Sequence, residues 1–249
     1  METHKLKGFF MKKLFMPLCL MFWVMIMQTS CTESSSADEF DDDFDASVVC
    51  PAEGLNAYGM PNRGTFIDVR DSQEYKYVTI GEQVWMAENL RFDAPYSECY
   101  DEVKGVKDFC SIFGRFYRLI EDGKKEDGLF DQALVDTVCP AGWRVPSKLD
   151  WEILAYNMGG YGQLVGPRLM TASPDFASMG TDDCGFNSLP ATCPRTNLED
   201  YTKRPRATCA EYWTTSYREV ETPYNCFMGI TSFGLTQILT PTPIRCVKD

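Results

Sequence analysis

The sequence predicts an α+β domain, loop-rich and disulfide-braced, with short antiparallel strands and one clear helix at about 148–158. Three observations carry that prediction. Runs of β-branched and aromatic residues alternate with turn residues from about 64 to 90. One window, residues 148–158, has both a start and a stop signal for a helix. Eleven cysteines are spread through a chain whose N-terminus has the pattern of an export signal, which places them where disulfides form.

The leader comes first. Lys12 and Lys13 precede an unbroken apolar run from Leu14 to Met27, shorter than the roughly 20 residues of a membrane span and of the length of a signal-peptide core. Residues 1–30 are therefore expected to be a lipoprotein-type signal peptide. Gln28-Thr29-Ser30-Cys31 resembles the bacterial lipoprotein box, whose cysteine is lipidated and becomes the new N-terminus, so Cys31 is the expected lipidation site. Gln28 stands where that box has an aliphatic residue; an ordinary cleavage site nearby and an uncleaved anchor are the alternatives. Met11 also makes a signal start. The expected location is the cell envelope, with the protein held in the outer membrane by its N-terminal lipid and exposed at the surface.

Charge and histidine content exclude several functions. The chain carries a net charge of −12, and without the first 30 residues, which hold Lys5, Lys7, Lys12 and Lys13 against Glu2, it carries −15. Nucleic acid and anionic membrane surfaces reward positive patches and are poor partners for it. The single histidine, His4, lies in the leader. The mature chain thus has no imidazole for a Ser-His-Asp or Cys-His nucleophile, a histidine-ligated zinc or a general base. Carboxylate-only glycoside hydrolysis and cysteine redox chemistry survive that exclusion. No catalytic, metal or cofactor-binding residue is assigned.

Setting aside Cys19 in the leader and Cys31 leaves nine cysteines, an odd number, so at least one is free or paired elsewhere. None are spaced C-x-x-C, which argues against a thioredoxin motif or a zinc ribbon. Cys99 and Cys110 are spaced to close a short loop. Eight paired cysteines allow about a hundred connectivities; the pairs favoured are Cys139 with Cys246 and Cys193 with Cys209, with Cys50 as the odd one out.

Residues 31–63 read as an acidic disordered tether and an irregular lead-in. The run Asp38-Glu39-Phe40-Asp41-Asp42-Asp43-Phe44-Asp45 is too charged to bury a core and lacks the spacing of a calcium loop. Acids just after a lipidated cysteine also resemble surface-export signals. Pro51, Gly54, Gly59 and Pro61 punctuate the lead-in. The folded domain is set at 64–249, long enough for one sizeable core.

Within it, Thr65–Val69, Tyr75–Ile80 and Gln83–Met86 form an expected meander, broken at Asp71-Ser72 and Gly81-Glu82. Ser147 is an N-cap with Asp150 three residues on, and Gly159-Gly160 ends the helix. Leu149, Ile153, Leu154 and Met158 are expected to form its core stripe, joined by Trp151. The last strands are expected near Glu211–Ser216, Cys226–Thr231 and Ile244–Val247.

Several segments occur in a characteristic order: Phe66–Asp71, Tyr75–Gly81, Trp85–Leu90, Gly114–Tyr117, Cys139–Ser147 with Trp151, Cys184–Pro190, Tyr212–Ser216 and Arg245–Asp249. In this the chain resembles the Fibrobacter succinogenes major paralogous domain of exported lipoproteins. The resemblance covers about 64–249; it implies an exported or surface protein of undefined biochemical role and brings no catalytic residues. A more distant likeness, from Val145-Pro146-Ser147 through Trp151, is to formylglycine-generating proteins, which implies a C-type-lectin-like fold but no activity. Neither calcium triplet of sugar-binding lectins, Glu-Pro-Asn or Gln-Pro-Asp, is present. No local motif places the enzyme's cysteine pair on Cys226 or Cys246.

Each signature residue also has a structural reading, which is preferred. Trp85, Trp143, Trp151 and Trp213 are read as core ahead of sugar platforms. Glu88 and Asn89 are read as a buried hydrogen-bonded network ahead of a polar site. The pairs Asp182-Asp183 and Glu199-Asp200 do not define a glycosidase. The function expected is a lipid-anchored, non-catalytic binding or adhesion module with a polysaccharide or protein partner. The alternatives are a carbohydrate-active or formylglycine-generating type of enzyme, and a purely structural envelope protein.

Overall fold

The computed structural model describes residues 44–99, 108–119, 131–160, 162–174, 180–190, 209–218, 222–229, 232–237 and 241–249. The chain divides into two units, Met1–Asp41 and Asp42–Asp249, and the second is the one described. The leader, Cys31, Cys193 and Glu199-Asp200 lie outside the described residues.

The elements begin with α1 (Ala46–Val49) and the hairpins β1 (Arg63–Asp68), β2 (Gln73–Ile80) and β3 (Gln83–Met86). Next come β4 (Ser97–Glu98), α2 (Phe109–Phe113), β5 (Phe116–Tyr117), α3 (Gln132–Val138), β6 (Trp143–Arg144), α4 (Lys148–Asn157) and α5 (Val165–Leu169). The chain closes with β7 (Cys209–Arg218), β8 (Thr222–Gly229), β9 (Ser232–Gln237) and β10 (Val247–Lys248). The main sheet is antiparallel, in the order β1-β2-β3-β10-β6; β7-β8-β9 form a second sheet, and β4-β5 a short ribbon.

The main sheet is buried on both faces because its strands alternate side chains between two cores. Val78, Ile80, Trp85 and Val247 point to one side. There they meet Trp151, Leu154, Ala155 and Met158 of α4, with Tyr212, Cys226 and Met228 of the second sheet. Tyr75, Tyr77, Val84, Met86, Trp143 and Cys246 point to the other side, against Tyr117, Val135, Val138 and Trp213. Strand β10 enters between β3 and β6, and the Cys139–Cys246 disulfide fastens it there. Cys99 pairs with Cys110, as the spacing predicts.

Two expectations about the N-terminal segment are corrected. The lead-in is part of the fold from Phe44 onward. Asp45 caps α1 by accepting from the Ser47 amide at 2.8 Å, Gly81 N donates to Val49 O at 2.7 Å, and Asn62 Nδ2 donates to Glu53 O at 2.6 Å. Cys50 is not the odd cysteine: it is bonded to Cys184, 134 residues away. The lead-in glycines serve turns, as their reading as punctuation of an irregular segment implies, Gly54 at φ 97° and Gly59 at φ 70°. Cys209 is also disulfide-bonded, and the free cysteine among the described residues is Cys226.

The helix is where the sequence places it, but it is rotated. At about 100° per residue, Trp151, Leu154, Ala155 and Met158 share one face, and Leu149 and Ile153 fall opposite Trp151. Leu149 is 61% and Ile153 39% exposed, while Trp151, Leu154 and Met158 are buried. The largest side chain decides which face turns inward. Helix α5 and strand β9 carry no strong capping or turn signal, whereas α3 has an N-cap in Asp131, whose carboxylate accepts from the Leu134 amide at 3.0 Å; Arg70 terminates α3 by donating to Thr137 O and Val138 O, at 2.7 and 3.0 Å.

Candidate functional site

The segment Cys139–Ser147 builds the entry to α4. Gly142, at φ 77°, makes the turn that lets Trp143 join β10. Ser147 and Asp150 form a full capping box, and Arg144 grips the Asp150 carboxylate with two bonds of 2.7 and 2.8 Å. Burial works against the Asp150 charge, yet the Arg144 and Ser147 hydrogen bonds hold its carboxyl below the usual carboxylate range. This is the arrangement of a structural clamp, since both carboxylate oxygens are committed.

The second cluster gathers signature residues that are far apart in sequence. Arg245 is fully buried. Its Nε and Nη2 donate to Asn89 Oδ1 at 3.1 and 2.5 Å, Nη1 donates to Phe186 O, and Nη2 also reaches Asn187 O at 3.3 Å. The guanidinium carbon lies 4.6 Å from the Phe186 ring centroid and 5.3 Å from that of Tyr212. Asn89 Nδ2 in turn donates to Phe113 O at 2.8 Å. Gly114, at φ 78°, is needed here, because a Cβ on it would stand 2.5 Å from the Asn89 Cβ.

One loop, 182–188, wraps this guanidinium. Asn187 N donates to Asp182 Oδ1 at 2.7 Å, and the Ser188 and Tyr212 hydroxyls share a 2.8 Å bond. Asp182 and Asn187 both hold positive φ, 48° and 52°. Burial pushes the Asp182 carboxyl up to about 6, against the pull of the Asn187 amide, Arg245 and Arg63. Burial likewise lowers the Arg245 pKa.

What this cluster can do chemically is narrow. Every nitrogen of Arg245 is already hydrogen-bonded to the protein, so it is spent on holding Trp85–Leu90, Cys184–Pro190 and the C-terminal strand together. Glu88 is half-buried beside it, accepting from the Lys76 amide at 2.7 Å and from Arg91 at 3.4 Å. Asp182 and Asp183 turn to different partners, the latter 3.7 Å from Arg168 Nε.

The tryptophans are core. Trp85, Trp151 and Trp213 are fully buried, and Trp143 stacks on Phe66 with ring centroids 4.5 Å apart. Trp213 Nε1 donates to Tyr117 O at 2.8 Å. Among the described residues no indole face is open to stack on a sugar. Cys226 is buried with its thiol pushed well up by burial, the opposite of an activated nucleophile. Cys246 is locked to Cys139. Among the described residues no group of three or more acids, cysteines or histidines is placed to hold a metal ion.

Sequence reasoning missed the ion pair of buried Asp68 with Arg70, at 2.7 Å, and the role of Arg144. The i,i+2 and i,i+6 spacings gave no signal by themselves; each pair became visible only once a helix end was known to need it.

Fold and cluster together define a class: a disulfide-braced domain of antiparallel sheets, organised around the fully buried Arg245, with its family-marking residues used as architecture. The chain belongs to the Fibrobacter succinogenes major domain family, whose profile matches residues 78–248. No curated protein and no solved structure matches the chain.

Proposed function

We propose that this protein is exported, anchored by a lipid on Cys31 in the outer membrane, and displayed as a non-catalytic binding or adhesion module for a polysaccharide or protein partner. One observation carries the reading: the chemistry-bearing signature residues are consumed by the fold. Arg245, Asn89, Arg144 and Asp150 spend their polar atoms on one another and on the backbone. A domain built this way offers surfaces and not a reaction centre. The leader, the Gln28–Cys31 box and the acidic residues after it supply the route and the anchor. The fold is taken as C-type-lectin-like, a scaffold that carries binding surfaces on loops and edges.

Two measurements test this. Metabolic palmitate labelling of cells expressing the full chain is expected to mark the protein and to fail on Cys31→Ala; persistent labelling removes that anchor. Surface-displayed protein is expected to retain a partner in glycan-array and cell-extract pull-downs. Blank results in both would leave a structural envelope protein as the better account.

A further inference from the structure

The main sheet ends in an open strand. Thr79 N donates to Asn62 O and Ala87 N to Lys76 O, both at 2.8 Å. With the β1–β2 and β2–β3 registers, these bonds fix which residues pair on each side. Odd-numbered residues of β2 bond to β1, through Gly64, Phe66 and Asp68. The N–H and C=O groups of Arg63, Thr65 and Ile67 therefore point away from the sheet. Strand β1 is an edge, and among the described residues the outward backbone groups of these three have no further partner, although the Arg63 side chain donates to Cys50 O at 3.2 Å.

Proteins blunt such edges with charge, proline or bulges. Here Pro61 and Arg63 guard one end, and the middle, Thr65-Phe66-Ile67, is uncharged and strand-prone. Ile67 is 62% and Val69, just beyond, 84% exposed. A second feature points to the same edge. Tyr77 is only 5% exposed, and a Cβ on Gly64 would meet its hydroxyl at 2.7 Å, so the phenol lies across Gly64, over β1. That hydroxyl makes no hydrogen bond among the described residues. Burial raises its pKa, so it stays a neutral donor.

We propose that the outer edge of β1, with the Tyr77 hydroxyl beside it, is a docking site for an extended segment of a partner protein that adds as a further strand to the sheet. This rests on the binding-module reading above and names its partner class. The alternating groups of Arg63, Thr65 and Ile67 supply the hydrogen bonds. Specificity comes from an apolar side chain against Ile67 and an acidic one between Arg63 and the exposed Lys76, which lies opposite Thr65. A second copy fits worse. Two β1 edges paired antiparallel about Thr65 set each Arg63 opposite an Ile67, and both chains carry −12.

The test uses the full-length chain and a phage-displayed library of random nine-residue peptides. Enriched peptides are expected to alternate apolar residues with an acid and to lose binding when their alternate amides are N-methylated. Thr65→Pro deletes an outward N–H while leaving the ladder bonds of Gly64 and Phe66; with Ile67→Lys it should weaken binding tenfold or more. Tyr77→Phe should weaken it severalfold, and Tyr156→Ala, on the exposed face of α4, should leave it unchanged. If Thr65→Pro does not fold, Ile67→Lys and peptide N-methylation carry the test alone. Enrichment of no peptide, equal binding by Ile67→Lys, or a dimer in sedimentation that Ile67→Lys dissolves would each overturn the proposal. A glycan retained equally by wild type and Ile67→Lys would overturn the edge while leaving the binding-module reading intact.

Discussion

Asp182 is held at a cost, and Asp182→Asn should remove it. Its carboxyl is raised from 3.8 to about 6 chiefly by burial, with Asp183 adding repulsion and Arg245 and Arg63 opposing. A carboxyl whose folded pKa is raised holds its proton longer in the native state than in the unfolded chain. Stability from this group is therefore highest below pH 3.8, falls as pH rises from 3.8 to about 6, and is flat above that. At 1.36 kcal/mol per unit the shift corresponds to about 3 kcal/mol at neutral pH, and partial exposure of the side chain brings the expected effect to roughly 1–3 kcal/mol.

Asparagine keeps the Oδ1 acceptor for the Asn187 amide and tolerates the positive φ of 48° at this position. It has no charge to desolvate. Urea titrations of both proteins from pH 3.5 to 8 should superpose at the acid end, diverge between about pH 4 and 6, and stay apart by a constant amount above that, with the variant more stable. Taking the difference between the two removes Asp68 and Asp150, whose lowered pKa values act in the opposite sense, their contribution being lost as pH falls. A variant less stable at pH 7, or a difference that does not change with pH, would refute the account.

Arg245→Met should leave Asn89 Oδ1 and two backbone carbonyls unpaired in the core. At about 1–3 kcal/mol for each buried orphan, a loss near 3 kcal/mol is expected in thermal melts, and a neutral result would mean the cluster is not the keystone described. Removing the Cys139–Cys246 bridge opens a loop of 107 residues, and the double alanine variant should lose about 4–5 kcal/mol by the chain-entropy relation. An aromatic disulfide reagent should leave Cys226 unmodified in the folded protein and label it once unfolded, as mapped by mass spectrometry; labelling in the native state would contradict its burial.

What was legible in the sequence was local. The meander follows from runs of β-branched and aromatic residues parted by Asp71-Ser72 and Gly81-Glu82. The start of α4 follows from Ser147 and Asp150, whose capping box is formed as read. The burial of the four tryptophans follows from their size. Long-range partnership was legible only for Cys139 with Cys246, the favoured pair that is formed. Nothing near Cys50 announces Cys184, and nothing near Arg245 announces Asn89 and Phe186, because those pairings are decided by how sheets and loops stack. The face of α4 was misjudged for a related reason: the i,i+4 pair Leu149 and Ile153 satisfies a helical period as well as Trp151 and Ala155 do, and only the cavity to be filled distinguishes them.

The extent of the family match sharpens the question of where a partner binds. The match begins at Val78, inside β2, and runs to Lys248. It contains the Arg245 cluster, the α4 clamp and Cys246, all of them committed to internal contacts. It does not contain β1, Cys50 or the lead-in, although Cys50 is bonded to Cys184 within it and β1 is hydrogen-bonded to β2 along its whole length. The N-terminal segment is thus joined covalently and by a strand ladder to the matched residues. Among the described residues, no residue of β1 hydrogen-bonds to the buried arginine or to Asn89, so the proposed docking edge and that cluster are separate. That separation predicts that Ile67→Lys alters what the protein binds without shifting its melting temperature, whereas Arg245→Met shifts the melting temperature first.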